Sequence, residues 1–276
     1  MHSLDDLLHT AMMAARAAAE VHRREANRVQ SAQWTEKGHA DWVSEVDHAA
    51  EEEAVGEIRG RFSNHAIAAE ERDWGEPRPG HAEVTWYIDP LDGTTNYLHR
   101  YPFHAASVAA VDTAGVAAAV VINSATWETF EATRGAGAKR NGEPISVSQI
   151  SDSKQALIGT GFPFKQLDLL DSYLAQFKAI LPRTSGVRRT GSAAIDLCDV
   201  ACGRLDGFWE LHLAAWDVAA GVLILREAGG IITDLEGGED VVKHGAFVAG
   251  NPAIYRQLRN LLDEVRGRDS LSNIEH

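Results

Sequence analysis

The chain has 276 residues, of which 45% are hydrophobic and 24% charged, a composition typical of a globular protein with a full core. Its formal net charge of −14 argues against nucleic acid as a direct partner, because phosphate backbones need a basic surface. With no recognisable secretory signal and no run near the ~20 apolar residues of a membrane span, the sequence predicts a cytoplasmic protein without membrane contact.

The first part of the chain predicts two helices separated by a loop. Residues 4–29 carry apolar side chains at helical spacing, whereas residues 37–41 break that pattern. The S-x-x-D sequence that ends at Asp47 matches a capping box and predicts a second helix over 45–61. Asp47 is therefore explained as a first-turn acid, and residues 51–53, all glutamate, as the exposed face of the helix.

Acidic residues follow the next two predicted strands. Residues 65–69 predict a short strand that ends at Glu70. Residues 84–88 predict a buried strand that stops at Asp89, because the proline that follows donates no ladder hydrogen bond. Asp89 and Asp92 then lie three residues apart at a strand end, where open α/β sheets usually bind ligands.

The residues after Asp92 add donors for an anion. Gly93 permits close approach of the backbone, and Thr94 begins a segment that can start a helix with free N–H groups. Carboxylates for hard cations beside donors for phosphate suit a metal-dependent phosphatase. Asp-Pro and Asp-Gly are also ordinary turn dipeptides and threonine is an ordinary helix cap, so the motif alone leaves a turn and a site open.

Strands and helices alternate through the rest of the chain. Predicted strands cover 103–111, 116–122, 127–133, 156–160 and 205–211, with an Asn-Gly hairpin turn at 141–142. Predicted helices cover 167–181, 195–202 and 218–228, and a last helix starts at Asn251-Pro252. Cys198 and Cys202 have no accompanying histidine or cysteine pair, so they are interpreted as core residues rather than zinc ligands.

Two polar positions in this second part have ordinary structural explanations. Gly191, Ser192 and Ala193 precede a helix, where a glycine and a serine act as a cap first and an anion site second. Asp217 lies at the start of another helix, where the helix dipole favours an acid.

Three segments, in this order along the chain, resemble signatures of the inositol monophosphatase family: A-E-E at 69–71, D-P-L-D-G-T-T-N-Y at 89–97 and W-D-V-A-A-G at 216–221. The family usually has glycine where this chain has Ala69. The resemblance covers nearly the whole chain and implies a layered αβαβα sandwich of the inositol monophosphatase and fructose-1,6-bisphosphatase type. It further implies one domain over 1–276, with a metal-site half (1–150), a substrate half (151–267) and a disordered tail (268–276), usually paired in a homodimer.

The resemblance also implies the roles of individual residues. Two to three Mg²⁺ ions would be held by the side chains or carbonyl of Glu70, Asp89, Leu91, Asp92 and Asp217. The residues implied in catalysis are Glu70, Thr94 and Asp47, with Thr94 and Asp47 orienting the attacking water. The residues implied in substrate binding are Asp92, Gly93, Thr94, Gly191, Ser192, Ala193 and Glu210.

The activity implied is Mg²⁺-dependent, lithium-sensitive hydrolysis of inositol monophosphate or a similar small polyol or sugar phosphate. Thr95 stands where relatives acting on histidinol phosphate usually carry a basic residue, and Glu210 resembles the glutamate of inositol-preferring members. Fructose-1,6-bisphosphatase and histidinol-phosphatase activities stay open. Some members of the family also serve the transcription machinery, and the net charge predicts that such a role would use protein contacts.

Overall fold

Two residue patterns alternate along the chain, and each forms the element expected of it: helical apolar spacing forms helices, and short apolar runs form strands. The computed structural model describes residues 2–26, 34–38, 41–74 and 83–272. Its helices are α1 (Leu4–Glu25), α2 (Glu45–Arg61), α3 (Thr94–Leu98), α4 (Leu170–Ile180), α5 (Ala193–Ala201), α6 (Ala215–Glu227), α7 (Val241–His244) and α8 (Pro252–Ser272). Its strands are β1 (Thr35–Gly38), β2 (Asp41–Val43), β3 (Ala66–Ala69), β4 (Val84–Asp92), β5 (Ala105–Asp112), β6 (Gly115–Asn123), β7 (Glu128–Thr133), β8 (Ala138–Arg140), β9 (Glu143–Pro144), β10 (Leu157–Thr160), β11 (Gly186–Arg188), β12 (Gly207–Glu210), β13 (Ile231–Asp234) and β14 (Phe247–Gly250).

The strands form two large sheets and one small hairpin. The larger sheet has the order β3-β4-β5-β6-β7-β8-β9, with β3 parallel to β4 and the other pairs antiparallel. The second sheet has the order β11-β10-β12-β14-β13, and β10 is parallel to both of its neighbours. β1 and β2 pair with each other in a segment that the sequence predicted as a loop.

Helices cover both faces of both sheets and produce five layers. One apolar cluster joins α1 and α2 to the larger sheet, a second places α5 and α6 between the sheets, and a third joins α4 and α8 to the second sheet. Neighbouring residues on a strand point to opposite faces: Phe208 packs toward α5 and α6, whereas Trp209 packs toward α4 and α8. The predicted αβαβα sandwich is confirmed.

The strand β4 continues through the acidic motif, contrary to the sequence-based expectation that it stops at Asp89. Asp89 pairs with Ser107 and Asp92 pairs with Ala105, so β4 advances three residues while β5 advances two. The extra residue forms a β-bulge, which accommodates Pro90 because a bulge interrupts the ladder locally. The bulge is thus the backbone feature that arranges the two motif aspartates.

The second helix begins as predicted. Ser44 Oγ accepts a hydrogen bond from the Val46 N–H, and Asp47 Oδ2 accepts one from the Ser44 N–H at 2.8 Å, which completes a capping box. Glu51, however, was expected to face solvent and is completely buried. Its two carboxylate oxygens accept hydrogen bonds from the Glu71 N–H and the Trp74 indole, so Glu51 fixes the chain just after the β3 strand.

The end of the chain extends its helix further than predicted. The sequence indicated a disordered tail from residue 268, whereas α8 runs to Ser272. Residues 273–276 lie outside the described residues. The Asn251 cap is confirmed, since its Oδ1 accepts hydrogen bonds from the N–H groups of Ala253 and Ile254. None of the described helices has the length and apolar composition needed to cross a bilayer.

A glycine in α6 sets the distance to α5, and both helices carry residues of the cleft described below. A Cβ on Gly221 would lie 2.5 Å from Leu197 Cδ1 and 2.7 Å from Leu197 Cβ. We therefore expect Gly221→Ala to lower the free energy of unfolding by about 1–3 kcal/mol through overpacking, measured by urea denaturation. Gly56→Ala in α2 is the matched control, because no atom lies within 4 Å of its added Cβ, and it should raise stability by about 0.5–1 kcal/mol. Equal effects of the two variants would contradict this packing argument.

Candidate active site

A cleft of about 130 Å³ collects the ends of several elements. The segment after β3, the end of β4, the start of α3, the segment after β10, the start of α5, the end of β12 and the start of α6 all contribute to its lining. The residues predicted from the sequence that line it are Glu70, Asp89, Leu91, Asp92, Gly93, Thr94, Gly191, Ser192, Ala193, Glu210 and Asp217. Asp47 is the one predicted site residue outside this lining, and it reaches the cleft through Thr94.

Four carboxyl groups in the cleft repel one another. Asp89 is only 2% exposed, and burial together with Glu70, Asp92 and Asp217 raises the pKa of Asp89 well above its ordinary value. Burial and the Asp92 carboxylate raise the pKa of Asp217 to about 7. Such a cluster is unfavourable in the ionised state unless cations balance it.

The donors in this cluster suit a hard divalent cation. All the acidic side chains offer oxygen, and Leu91 lies in the same lining. Across residues 2–26, 34–38, 41–74 and 83–272, no group of three or more Asp, Glu, His or Cys side chains is arranged closely enough to hold a metal ion by itself. Mg²⁺ typically takes one or two carboxylates and keeps several waters, so an incomplete set of protein oxygens fits it.

Thr94 and Asp47 form a contact between the motif and α2, which agrees with the joint role that the family resemblance implied for them. The Thr94 hydroxyl donates to Asp47 Oδ1 at 2.9 Å and also lies 3.1 Å from the Leu91 carbonyl oxygen. Asp47 Oδ2 meanwhile accepts from the Ser44 N–H and hydroxyl. The capping and the catalytic explanations of Asp47 therefore use different oxygens of one carboxylate. Burial raises the pKa of Asp47, and the Ser44 hydrogen bonds oppose that shift.

Gly93 occupies a position that a side chain would obstruct. Its φ of +89° lies in the left-handed region, and an added Cβ would be 2.8 Å from the Phe103 carbonyl oxygen. This turn leads directly into α3, so the motif backbone changes from strand to helix within one residue. The first N–H groups of a helix have no partner inside it and can bind an anion.

Asp92 joins the two halves of the chain within the cleft. Its Oδ2 accepts a hydrogen bond from the Ser192 hydroxyl at 2.6 Å and from the Ala194 N–H at 2.8 Å. These hydrogen bonds fix the start of α5 on the end of β4. Because the Ser192 hydroxyl is already bonded to Asp92, its contact with a substrate stays a prediction.

Asn96 makes a second connection of this kind that was not predicted as functional. Its amide donates to the Phe103 carbonyl at 2.6 Å and to the Thr190 carbonyl at 2.9 Å. Gly191 follows with a φ of +91°, and an added Cβ there would meet the Asn96 amide at 2.9 Å. The only sequence signal for Asn96 was its position inside the D-P-L-D-G-T-T-N-Y motif.

Glu210, at the end of β12, contributes another carboxyl group to the lining of the cleft. Its carboxyl group packs so closely against Gly161 that a Cβ on residue 161 would overlap it. Loss of hydration raises the pKa of Glu210 well above its ordinary value, with a further contribution from Asp196. A glycine at 161 is therefore needed for the observed position of Glu210.

Sequence reasoning missed three charged residues of the lining: Lys165, Arg189 and Asp196. Lys165 lowers the pKa of Asp217, which shows that its positive charge acts on the carboxylate cluster. Asp196 is 2% exposed and its Oδ1 has no hydrogen-bond partner among the described residues. Nothing in the sequence distinguished Arg189 from its exposed neighbour Arg188.

Comparisons of the sequence and of the structure with known proteins find similarity to one family. The profile described as "Inositol monophosphatase family" matches residues 3–266. The "Nus factor SuhB" of Pseudomonas aeruginosa is 42% identical over 257 residues, which are 92% of this chain and 95% of that protein. The crystal structure of extragenic suppressor protein suhB from Bartonella henselae has a TM-score of 0.88 and 38% identity, covering 93% of this chain and 98% of that one. The inositol monophosphatase from Anabaena (Nostoc) sp. PCC 7120 has a TM-score of 0.84 and 36% identity, covering 95% and 96%.

Proposed function

This chain belongs to the inositol monophosphatase family, and from that premise we propose that it hydrolyses phosphate monoesters of small polyols or sugars with Mg²⁺ as its cofactor. The observation that carries the proposal is the single cleft in which Glu70, Asp89, Asp92 and Asp217, from separate parts of the chain, lie together. A buried set of mutually repelling carboxylates has a clear use where cations and a phosphoryl group are bound together.

Several protein oxygens are the proposed ligands of two to three Mg²⁺ ions. They belong to Glu70, Asp89, Leu91, Asp92 and Asp217. When bound, Mg²⁺ stabilises charge on the phosphoryl and leaving oxygens and lowers the pKa of water. We also propose that lithium inhibits the activity, because it would occupy one of the proposed Mg²⁺ sites.

The chain's own groups would orient the reactants. Since the Thr94 hydroxyl donates its proton toward Asp47, its lone pairs can accept a hydrogen bond from the attacking water. The N–H groups of Gly93 and Thr94 would hold the phosphate at the start of α3. Glu210 would accept hydrogen bonds from hydroxyls of the leaving group, with the backbone of Gly191 and Ala193 beside it.

A phosphatase screen tests this proposal. The protein is assayed with Mg²⁺ and with EDTA on inositol 1-phosphate, fructose 1,6-bisphosphate, histidinol phosphate, adenosine bisphosphate and glycerol phosphate. We expect Mg²⁺-dependent phosphate release, highest on inositol 1-phosphate and inhibited by lithium. Release that is unaffected by EDTA, or no release from any substrate, would overturn it. Highest activity on fructose 1,6-bisphosphate or on histidinol phosphate would instead support the corresponding alternative activity.

A second candidate function is favoured by the names of the relatives, among them the Nus factor SuhB of Pseudomonas aeruginosa. We propose a role in the transcription machinery as the alternative, mediated by protein contacts because of the −14 net charge. Pull-down with purified RNA polymerase accessory factors tests it. Binding that survives in a catalytically inactive variant would separate this role from hydrolysis.

We also propose that the chain is a single domain with a metal-site half and a substrate half, that it is located in the cytoplasm, and that it forms a homodimer. Exposed leucines on and beside α4 provide apolar surface that a second copy could cover, namely Leu167, Leu170, Leu174 and Leu181. Light scattering at several concentrations gives the mass that decides between monomer and dimer.

A further inference from the structure

One cationic side chain of the cleft has no part in the chemistry proposed above. Arg189 follows β11 and lines the cleft. Its guanidinium carbon lies 5.0 Å from the centre of the Phe164 ring and 5.5 Å from that of the Phe162 ring. Contacts of this length are attractive cation–π interactions. The two aromatic rings therefore fix the guanidinium in the wall of the cleft.

Arg189 lacks the partners that usually accompany a shielded guanidinium. Among the described residues it forms no ion pair, and its buried Nε has no hydrogen-bond partner. Shielding the Nε–H donor of Arg189 from water without a partner is unfavourable. Something that enters the cleft is the natural partner for these donors.

The nearby acceptors indicate what kind of group this partner is. Arg189 lowers the pKa values of Glu210, Asp196 and Asp92, so its charge acts on several carboxyl groups of the lining. Glu210 is held in place by its packing against Gly161. Asp196 adds a buried carboxyl group beside the Thr190 hydroxyl. The cleft lining thus contains the Arg189 guanidinium as a hydrogen-bond donor and the Glu210 and Asp196 carboxyl groups as acceptors.

We propose that Arg189 is a specificity-determining residue that donates hydrogen bonds to hydroxyl oxygens of the leaving group, while Glu210 accepts hydrogen bonds from the same or adjacent hydroxyls. A hydroxyl both donates and accepts, so this pair fits a polyol with neighbouring hydroxyls. An aryl leaving group would leave the donors and acceptors unpaired, which a site of this type rejects. This inference rests on the proposed function and assigns a residue of the same site.

The experiment compares Arg189→Met with Arg188→Met. Arg188 is the matched control, because it is the same residue type one position earlier and its exposed side chain donates to the Val187 carbonyl. kcat and KM are measured on inositol 1-phosphate and on p-nitrophenyl phosphate, and the inhibition constant is measured for inorganic phosphate. In Arg189→Met we expect the preference for inositol 1-phosphate, as a ratio of kcat/KM values, to fall roughly 10- to 100-fold, mainly through KM. Arg188→Met should keep the wild-type ratio.

The other outcomes overturn the assignment. Equal losses on both substrates, with a matching weakening of phosphate inhibition, would make Arg189 a phosphate ligand. An unchanged ratio would give Arg189 a packing role alone. Thermal unfolding checks that the variant is folded, and Arg189→Lys, which keeps the charge but not the planar fork, should recover part of the ratio. Isothermal titration calorimetry with inositol 1-phosphate compares the affinities of Arg189→Met and Arg188→Met without turnover. A protein that binds the ligand but does not hydrolyse it would contradict the proposed function and would still test the role of Arg189.

Discussion

Asp89→Asn is expected to lower the Mg²⁺-dependent phosphatase activity by roughly 10³-fold or more while it stabilises the metal-free protein. The activity falls because Asp89 is a proposed metal ligand on which the Glu70, Asp92 and Asp217 charges all act, and a bound metal contributes several kcal/mol to transition-state stabilisation. The stability rises by roughly 1 kcal/mol or more because a buried carboxylate that faces like charges is replaced by a neutral amide. Activity on inositol 1-phosphate and thermal unfolding in EDTA measure the two effects.

The pH dependence of that stability gain has a definite sign. Burial and the neighbouring carboxylates raise the pKa of Asp89 in the folded protein above its unfolded value. The folded wild type therefore takes up a proton more readily than the unfolded chain, and this group's destabilising effect is relieved as the pH falls. In EDTA, the advantage of Asp89→Asn should therefore be largest at high pH and shrink as the pH falls through the raised pKa of Asp89 toward the ordinary carboxyl pKa.

Asp112→Asn on the neighbouring strand β5 is the matched control. Asp112 is ion-paired with Arg134 at 2.6 Å, and that pair lowers its pKa. Its removal should leave activity intact and reduce stability by less than about 1 kcal/mol, the opposite sign to Asp89→Asn. Activity of Asp89→Asn within a few-fold of wild type would count against the proposed metal site.

Thr94→Val is the second change with a large expected effect. It keeps the shape of the side chain but removes the hydroxyl that links Asp47 to the proposed water, so kcat should fall roughly 10²- to 10⁴-fold with a smaller change in KM. Thr94→Ser restores the hydroxyl and should recover most of the activity. Steady-state kinetics on inositol 1-phosphate measure both.

The capping function of Asp47 can be separated from this catalytic role. Ser44→Ala removes the hydroxyl that bonds to Asp47 Oδ2 and the Val46 N–H, but it keeps the Ser44 N–H bond to Asp47. We expect a loss of about 1 kcal/mol in stability with a kcat near that of wild type. If Ser44→Ala lowers kcat as much as Thr94→Val, the effect of Thr94→Val is structural rather than catalytic.

The sequence predicted the members of the acidic cluster because they belong to linear motifs with fixed spacing. Asp89, Asp92 and Gly93 lie within five residues of the chain, and the family resemblance extended the set to Glu70 and Asp217. Alternating helices and strands predicted a layered α/β sandwich, and the family resemblance supplied its five layers. The structure places these residues in the lining of one cleft, and their roles as metal ligands stay a prediction.

Other features depend on tertiary structure and leave little local trace. Pro90 predicted the end of a strand, but pairing with β5 on both sides of the proline continues the strand through a bulge. Glu51 has the composition of an exposed helix face, yet the Glu71 N–H and the Trp74 indole stabilise its carboxylate in the interior. Arg189 differs from Arg188 only through Phe162 and Phe164, whose positions no local pattern gives.

The hydrogen bonds that Asp92 accepts have a consequence for how the protein acquires activity. Ser192 and Ala194, the donors, are 100 and 102 residues away along the chain, and Asn96 reaches the Thr190 carbonyl over a comparable separation. Contacts of such long range form late, since loop closure must precede them. Catalytic competence should therefore appear only in the final stage of refolding, after secondary structure is complete, so that enzyme turnover reports the docking of the two sheets.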